Sequence, residues 1–256
     1  MTRHRHRPGF TLVEVAVVMA LIAILIGLLV PAVSRVGSSA RRTESLNNLR
    51  QMSIAATQYL AQFDAWPVAV RYAQRDAFTT IAWDWEQSIS GEVRPGMLWS
   101  FTDDPGRVMQ CPEFHGDSTF GADPFTGYNY NTTYIGGEAA FPETGWHAVR
   151  SGVHAAACRR TAQTVLFGAG GWRGGANKFM RAPLNSESFA LGTLYAGGQA
   201  FRYVDDTTVT AFLDGHVEVL ERAYRGELAT DEVLASSMDF PRNGFLSDDD
   251  ARYDPR

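Results

Sequence analysis

Phe10 to Val33 reads FTLVEVAVVMALIAILIGLLVPAV, and only Thr11, Glu14, Gly27 and Pro31 interrupt its apolar residues. About 20 apolar residues in a helix cross a ~30 Å hydrocarbon core, so this stretch predicts a membrane span over 10–33. Arg3, Arg5 and Arg7 form a basic leader that favours the cytoplasm, while Arg35, Arg41 and Arg42 beyond the far end weaken that bias. A core helix of a soluble protein rarely follows a basic leader at the start of a chain. A cleavable secretory signal usually has a shorter apolar region of about 7–15 residues.

Glu14 is the informative interruption. A carboxylate near the start of a membrane helix is expensive to bury, so it implies a partner. Arg7-Pro8-Gly9 precedes it, and Gly9–Glu14 reads GFTLVE ahead of the apolar run. This pattern resembles the prepilin leader of type IV pilins and type II secretion pseudopilins. The resemblance implies that a membrane prepilin peptidase cuts after Gly9 and methylates the new amino terminus at Phe10. It also implies a helix kink at Pro31 and an assembly role for Glu14. The physics agrees with that role, since a free ammonium on Phe10 and the Glu14 carboxylate can neutralise one another between neighbouring subunits inside a bilayer.

Working outward, the helical pattern continues. Leu46, Leu49, Met52, Ala56, Tyr59 or Leu60, and Phe63 recur at spacings of three or four and give one apolar face. Arg41, Arg42, Asn47, Asn48, Arg50 and Gln51 are expected on the opposite face. Gly37-Ser38-Ser39 weakens the middle and invites a bend or local melting. Pro67 stops the helix, because proline and the residue before it resist helical continuation. Taken as one helix, residues 10–63 reach about 80 Å.

Charge divides at the same place. Residues 1–63 hold seven arginines against two glutamates, a net of +5, and residues 64–256 hold 16 basic and 26 acidic groups, a net of -10. The two segments therefore suit different surroundings. The acidic balance of the outer part argues against nucleic acid as a partner. Hydrophobic residues make up 45% of the chain and charged residues 20%, which excludes wholesale disorder.

Past Pro67 the pattern is short and turn-rich. Ile81 to Ile89 (IAWDWEQSI) suggests a short helix, Gly121 to Gly137 a loop with one strand, and Gln163 to Ala169 a buried strand. Ala200–Val204, Thr207–Leu213 and His216–Glu221 read as three strands of an antiparallel meander joined at Asp205-Asp206 and Asp214-Gly215, the second a strong hairpin signal. Packed on the amphipathic helix, this makes an α+β architecture. Asp214-Gly215-His216 also resembles the end of a carboxy-terminal signature, histidine followed after nine residues by Asp-Gly, found in many pilin-like bacterial proteins. Val204 stands where that signature has its histidine.

Other candidates are less specific. Gly168-Ala-Gly170-Gly171-Trp-Arg-Gly174-Gly175 follows a strand, but its spacing is not that of a dinucleotide loop, so a mobile loop is expected. His115 and Asp117 near Cys111 have metal-binding types, and turn chemistry explains them as well. No Gly-x-Ser-x-Gly elbow or His-Glu-x-x-His helix occurs. Two cysteines exclude a four-thiolate zinc site; Cys111 and Cys158 either pair outside the cytoplasm or stay free. Calcium on some of Asp103, Asp104, Asp117, Asp123, Asp205 and Asp206 is an alternative to simple solvation.

The resulting expectation is a non-enzymatic filament subunit without a cofactor. Residues 1–9 form a cleaved leader, 10–33 a transmembrane helix, 34–66 its amphipathic extension, 67–246 an extracytoplasmic head and 247–256 a flexible acidic tail. Its expected partners are the prepilin peptidase, other pilin or pseudopilin subunits, an inner-membrane assembly platform and membrane lipid. The rival is a membrane-anchored module that does not polymerise and uses Trp83, Trp85, Trp99, Trp146 and Trp172 to bind a glycan or peptide, unless those rings are core.

Overall fold

A computed structural model describes residues 11–74, 78–116, 123–137, 151–172, 175–184, 197–238, 240 and 242–256. Helix α1 spans Leu12–Phe63 and runs through Pro31 and Gly37-Ser38-Ser39 without a break. The N–H that Pro31 lacks costs one backbone bond, not the helix. The expected melting at Gly37–Ser39 does not occur, because the packing against the head begins there: Ser38 and Arg41 both bond the Glu113 carboxylate. The helix ends at Asp64, which adopts a left-handed conformation (φ 56°) and donates its N–H to the Leu60 carbonyl at 2.8 Å. That is an αL-type helix end, three residues short of Pro67.

The head is built from two sheets. The smaller has four antiparallel strands in the order β1 (Val70–Gln74), β2 (Phe78–Ala82), β3 (Trp85–Ser88) and β4 (Val93–Pro95). The larger has seven. Its path runs β10 (Val217–Leu220), β9 (Thr208–Phe212), β6 (Val165–Gly171), β5 (Tyr128–Asn131), β7 (Phe179–Met180), and β8 (Gly198–Ala200) joins β6 to β11 (Asn243–Gly244). All pairs are antiparallel except β5 with β7. The second half of α1 lies on this sheet, so Leu49, Met52 and Ala56 share one core with Trp83, Tyr130, Phe167, Val209 and Ala211. The α+β pilin-like architecture expected from the sequence is the one observed.

Four local expectations are corrected. Residues 81–89 form the β2–β3 hairpin rather than a helix; Trp83 and Trp85 fill the core and the chain turns at Asp84. The three-strand meander is a two-strand hairpin of β9 and β10, because β8 pairs with β6 and β11, and the chain that follows it bridges to Thr207 at Tyr203 as an isolated pair. On α1, Asn48 faces the head, 1% exposed, and Phe63 is 51% exposed. Finally, residues 247–256 are no free tail. Tyr253 is fully buried, its carbonyl accepts from Asn131 Nδ2 at 2.9 Å, and the Pro255 carbonyl accepts from the backbone N–H groups of Arg159 and Arg160. One large aromatic ring supplies enough buried area to anchor an otherwise polar end.

Candidate functional site

The first four N–H groups of any helix lack partners, and in hydrocarbon no water supplies them. Thr11 and Glu14 meet that need as a capping box. Thr11 Oγ1 accepts from the Glu14 N–H at 3.3 Å, and Glu14 Oε2 accepts from the Thr11 N–H and from Thr11 Oγ1, each at 2.8 Å. Thr11 was not singled out from sequence, although Thr-x-x-Glu before an apolar run is the spacing that signals such a cap.

Beyond the cap, every residue from 12 to 36 is exposed. Leu12 is 85% exposed and Leu28 69%, and the exposed apolar residues continue to Val36. So large a band of apolar surface marks an environment other than water. The helix is long and apolar enough to cross a membrane, and none of its apolar window is buried within the protein. Gly9 and Phe10, at the expected cleavage and methylation point, lie outside the described residues, immediately before the capped end. The family model of the prokaryotic N-terminal methylation motif matches residues 4–30. The chain carries the type IV pilin and pseudopilin signature. That signature implies processing by a prepilin peptidase and assembly with other pilin subunits, and the proteins that carry it are structural rather than catalytic. No curated protein and no solved structure matches the chain significantly.

The other residues singled out from sequence are dispersed over this pilin-like head. Asp214 and Gly215 make the β9–β10 turn. Gly215 takes φ +89°, which favours glycine, and Asp214 Oδ1 accepts the His216 N–H at 3.1 Å. The glycines at 168, 170 and 171 stand inside buried strand β6 rather than in a mobile loop. A Cβ on them would collide with Gln199, the Asn177 carbonyl and Asn243, so they permit close strand approach. Residues 173–174 lie outside the described residues.

The cysteines do not pair. Cys111 is buried with its sulfur 3.3 Å from Tyr203 Oη, whereas the Cys158 sulfur is 3.8 Å from the His154 carbonyl. Burial also pushes the Cys158 thiol up, which disfavours the thiolate needed for oxidation. Among the described residues no three acidic, histidine or cysteine side chains are placed to hold a metal ion. Of the calcium candidates, Asp104 caps the short helix α2 (Pro105–Val108), Asp206 meets Arg242 at 3.3 Å, and Asp117 lies outside the described residues. Trp83 and Trp85 are 1% and 0% exposed and belong to the core, while Trp99, which packs on Phe125, and Trp172 are half-buried. Trp146 lies outside the described residues.

One constellation was not anticipated at all. Lys178 Nζ lies 2.5 Å from Asp84 Oδ2 and 2.7 Å from Asp123 Oδ2, and all three side chains are at most 3% exposed. The Trp83 and Trp85 rings flank the amine at 5.4 and 5.5 Å. Burial pushes the Asp84 carboxyl up to about 7, against the pull of Lys178. Asp84 and Lys178 are 94 positions apart in the chain, so no local pattern signals the cluster.

Proposed function

We propose that the protein is a filament subunit of a type II secretion or type IV pilus-like system, without catalytic activity. The leader stays in the cytoplasm, residues 10–33 hold the chain in the inner membrane, and the head faces the other side. The prepilin peptidase cuts after Gly9 and Phe10 is methylated. The subunit then leaves the lipid on the assembly platform by bundling its exposed helix half with those of other subunits. The observation that carries this reading is the division of α1. One half is apolar and exposed along its length, and the same unbroken helix is fixed in the head. A helix of this kind can exchange lipid for neighbouring helices without rearranging its own domain.

Glu14 acts at the start of that bundle, where its carboxylate meets the ammonium of a neighbouring Phe10 as well as its own Thr11 cap. This role asks for no cofactor. Its test is Glu14→Ala in the full chain. The variant is expected to be cut after Gly9 like the parent and to be missing from sheared surface filaments. Incorporation equal to the parent contradicts the role given to Glu14.

A further inference from the structure

Lys178 is the chain's sole lysine among 23 basic residues, the other 22 being arginine. Arginine serves every other cationic position, and an ion pair or carboxylate clamp suits its guanidinium better than an ammonium. What lysine alone offers is an amine that can lose its proton and attack a carbon. This lysine is 3% exposed, lies within hydrogen-bond distance of two carboxylates, and stands between two indole rings. The Asp84 Oδ1 atom is buried and makes no hydrogen bond among the described residues. Moving separated charges into such a site is costly, and a neutral product relieves that cost.

We propose that Lys178 and Asp84 form an intramolecular isopeptide bond, with Asp123 relaying the proton. A proton passes from the Lys178 ammonium to Asp84, leaving a neutral amine beside a carboxylic acid. The amine nitrogen attacks Cγ of Asp84 and gives a tetrahedral intermediate. Asp123 takes a proton from the attacking nitrogen and hands it to the departing hydroxyl, which leaves as water. One C–N bond forms, one C–O bond breaks, Asp123 returns to its carboxylate, and no oxidant or cofactor is consumed. Proximity is what makes this condensation feasible, since the reacting groups already touch and bulk water is excluded. The upward-shifted Asp84 carboxyl favours the acid form the step needs. The product ties the β2–β3 turn of the small sheet to the segment leading into β7 of the large one. It would resist pulling the two sheets apart.

The full chain extracted from membranes, denatured in guanidinium and digested with trypsin, provides the test. Expected is a branched peptide joining the fragments that contain Asp84 and Lys178, lighter than their sum by one water. No cleavage should follow Lys178, and an amine-reactive label should miss it after denaturation. Asp123→Asn should return both fragments as linear peptides of full mass, with Lys178 open to cleavage and label. Linear fragments with a labelled Lys178 from the parent protein overturn the proposal, whatever the variant does. A branched peptide at parental yield from Asp123→Asn overturns the relay.

Discussion

Residues 12–36 and 45–60 belong to one helix and solve opposite problems. The first half is almost wholly apolar and is exposed throughout. In the second half the buried positions are Ser45, Asn48, Leu49, Met52, Ser53, Ala55 and Ala56, a stripe that mixes small, polar and apolar groups. Its polar members have specific partners. Tyr203 donates to Ser45 at 2.8 Å, and Asn48 Nδ2 donates to the Arg107 carbonyl at 3.2 Å. Apolar content alone does not show where a helix packs. The more apolar half is the exposed one, and the half fixed in the head is held partly by hydrogen bonds.

The largest test of this contrast is a cavity. Leu49→Ala is expected to destabilise the head by about 2–5 kcal/mol, because Leu49 is fully buried between the helix and the sheet. Denaturant unfolding of the full chain in detergent measures it. A smaller loss is expected from Asn48→Ala, about 1–3 kcal/mol, since two partly buried carbonyls and the buried Tyr128 hydroxyl lose a donor. Asn47→Ala, one residue away on the exposed face, should fall within about 0.5 kcal/mol of the parent. The smallest effect is expected from Leu28→Ala, which should leave head unfolding unchanged. A head weakened equally by Leu28→Ala and Leu49→Ala would break the distinction between the two halves.

The sequence made the helix legible because its signals are local. The apolar run, the spacing of Leu49, Met52 and Ala56, and the proline stop at Pro67 each lie within a few residues. The β9–β10 hairpin was legible for the same reason, through Asp214-Gly215. Residues 81–89 misled because alternating and helical apolar spacings overlap in so short a stretch; pairing with β1 and β4 decides between them. Strand β8 was misplaced because its partners, β6 and β11, come from distant parts of the chain. The ordered end was hidden by composition, since the bonds that fix Tyr253 come from Asn131 and from the backbone near Leu246. The Lys178 cluster is assembled from three separate segments and could be found only in the fold.

The exposed half of the helix is expected to begin at a processed and methylated Phe10. The mass of the amino-terminal peptide from membrane-extracted protein tests it most directly. A peptide that starts at Phe10 and carries one added methyl group is predicted. A peptide that starts at Met1, or an unmodified Phe10, contradicts the account.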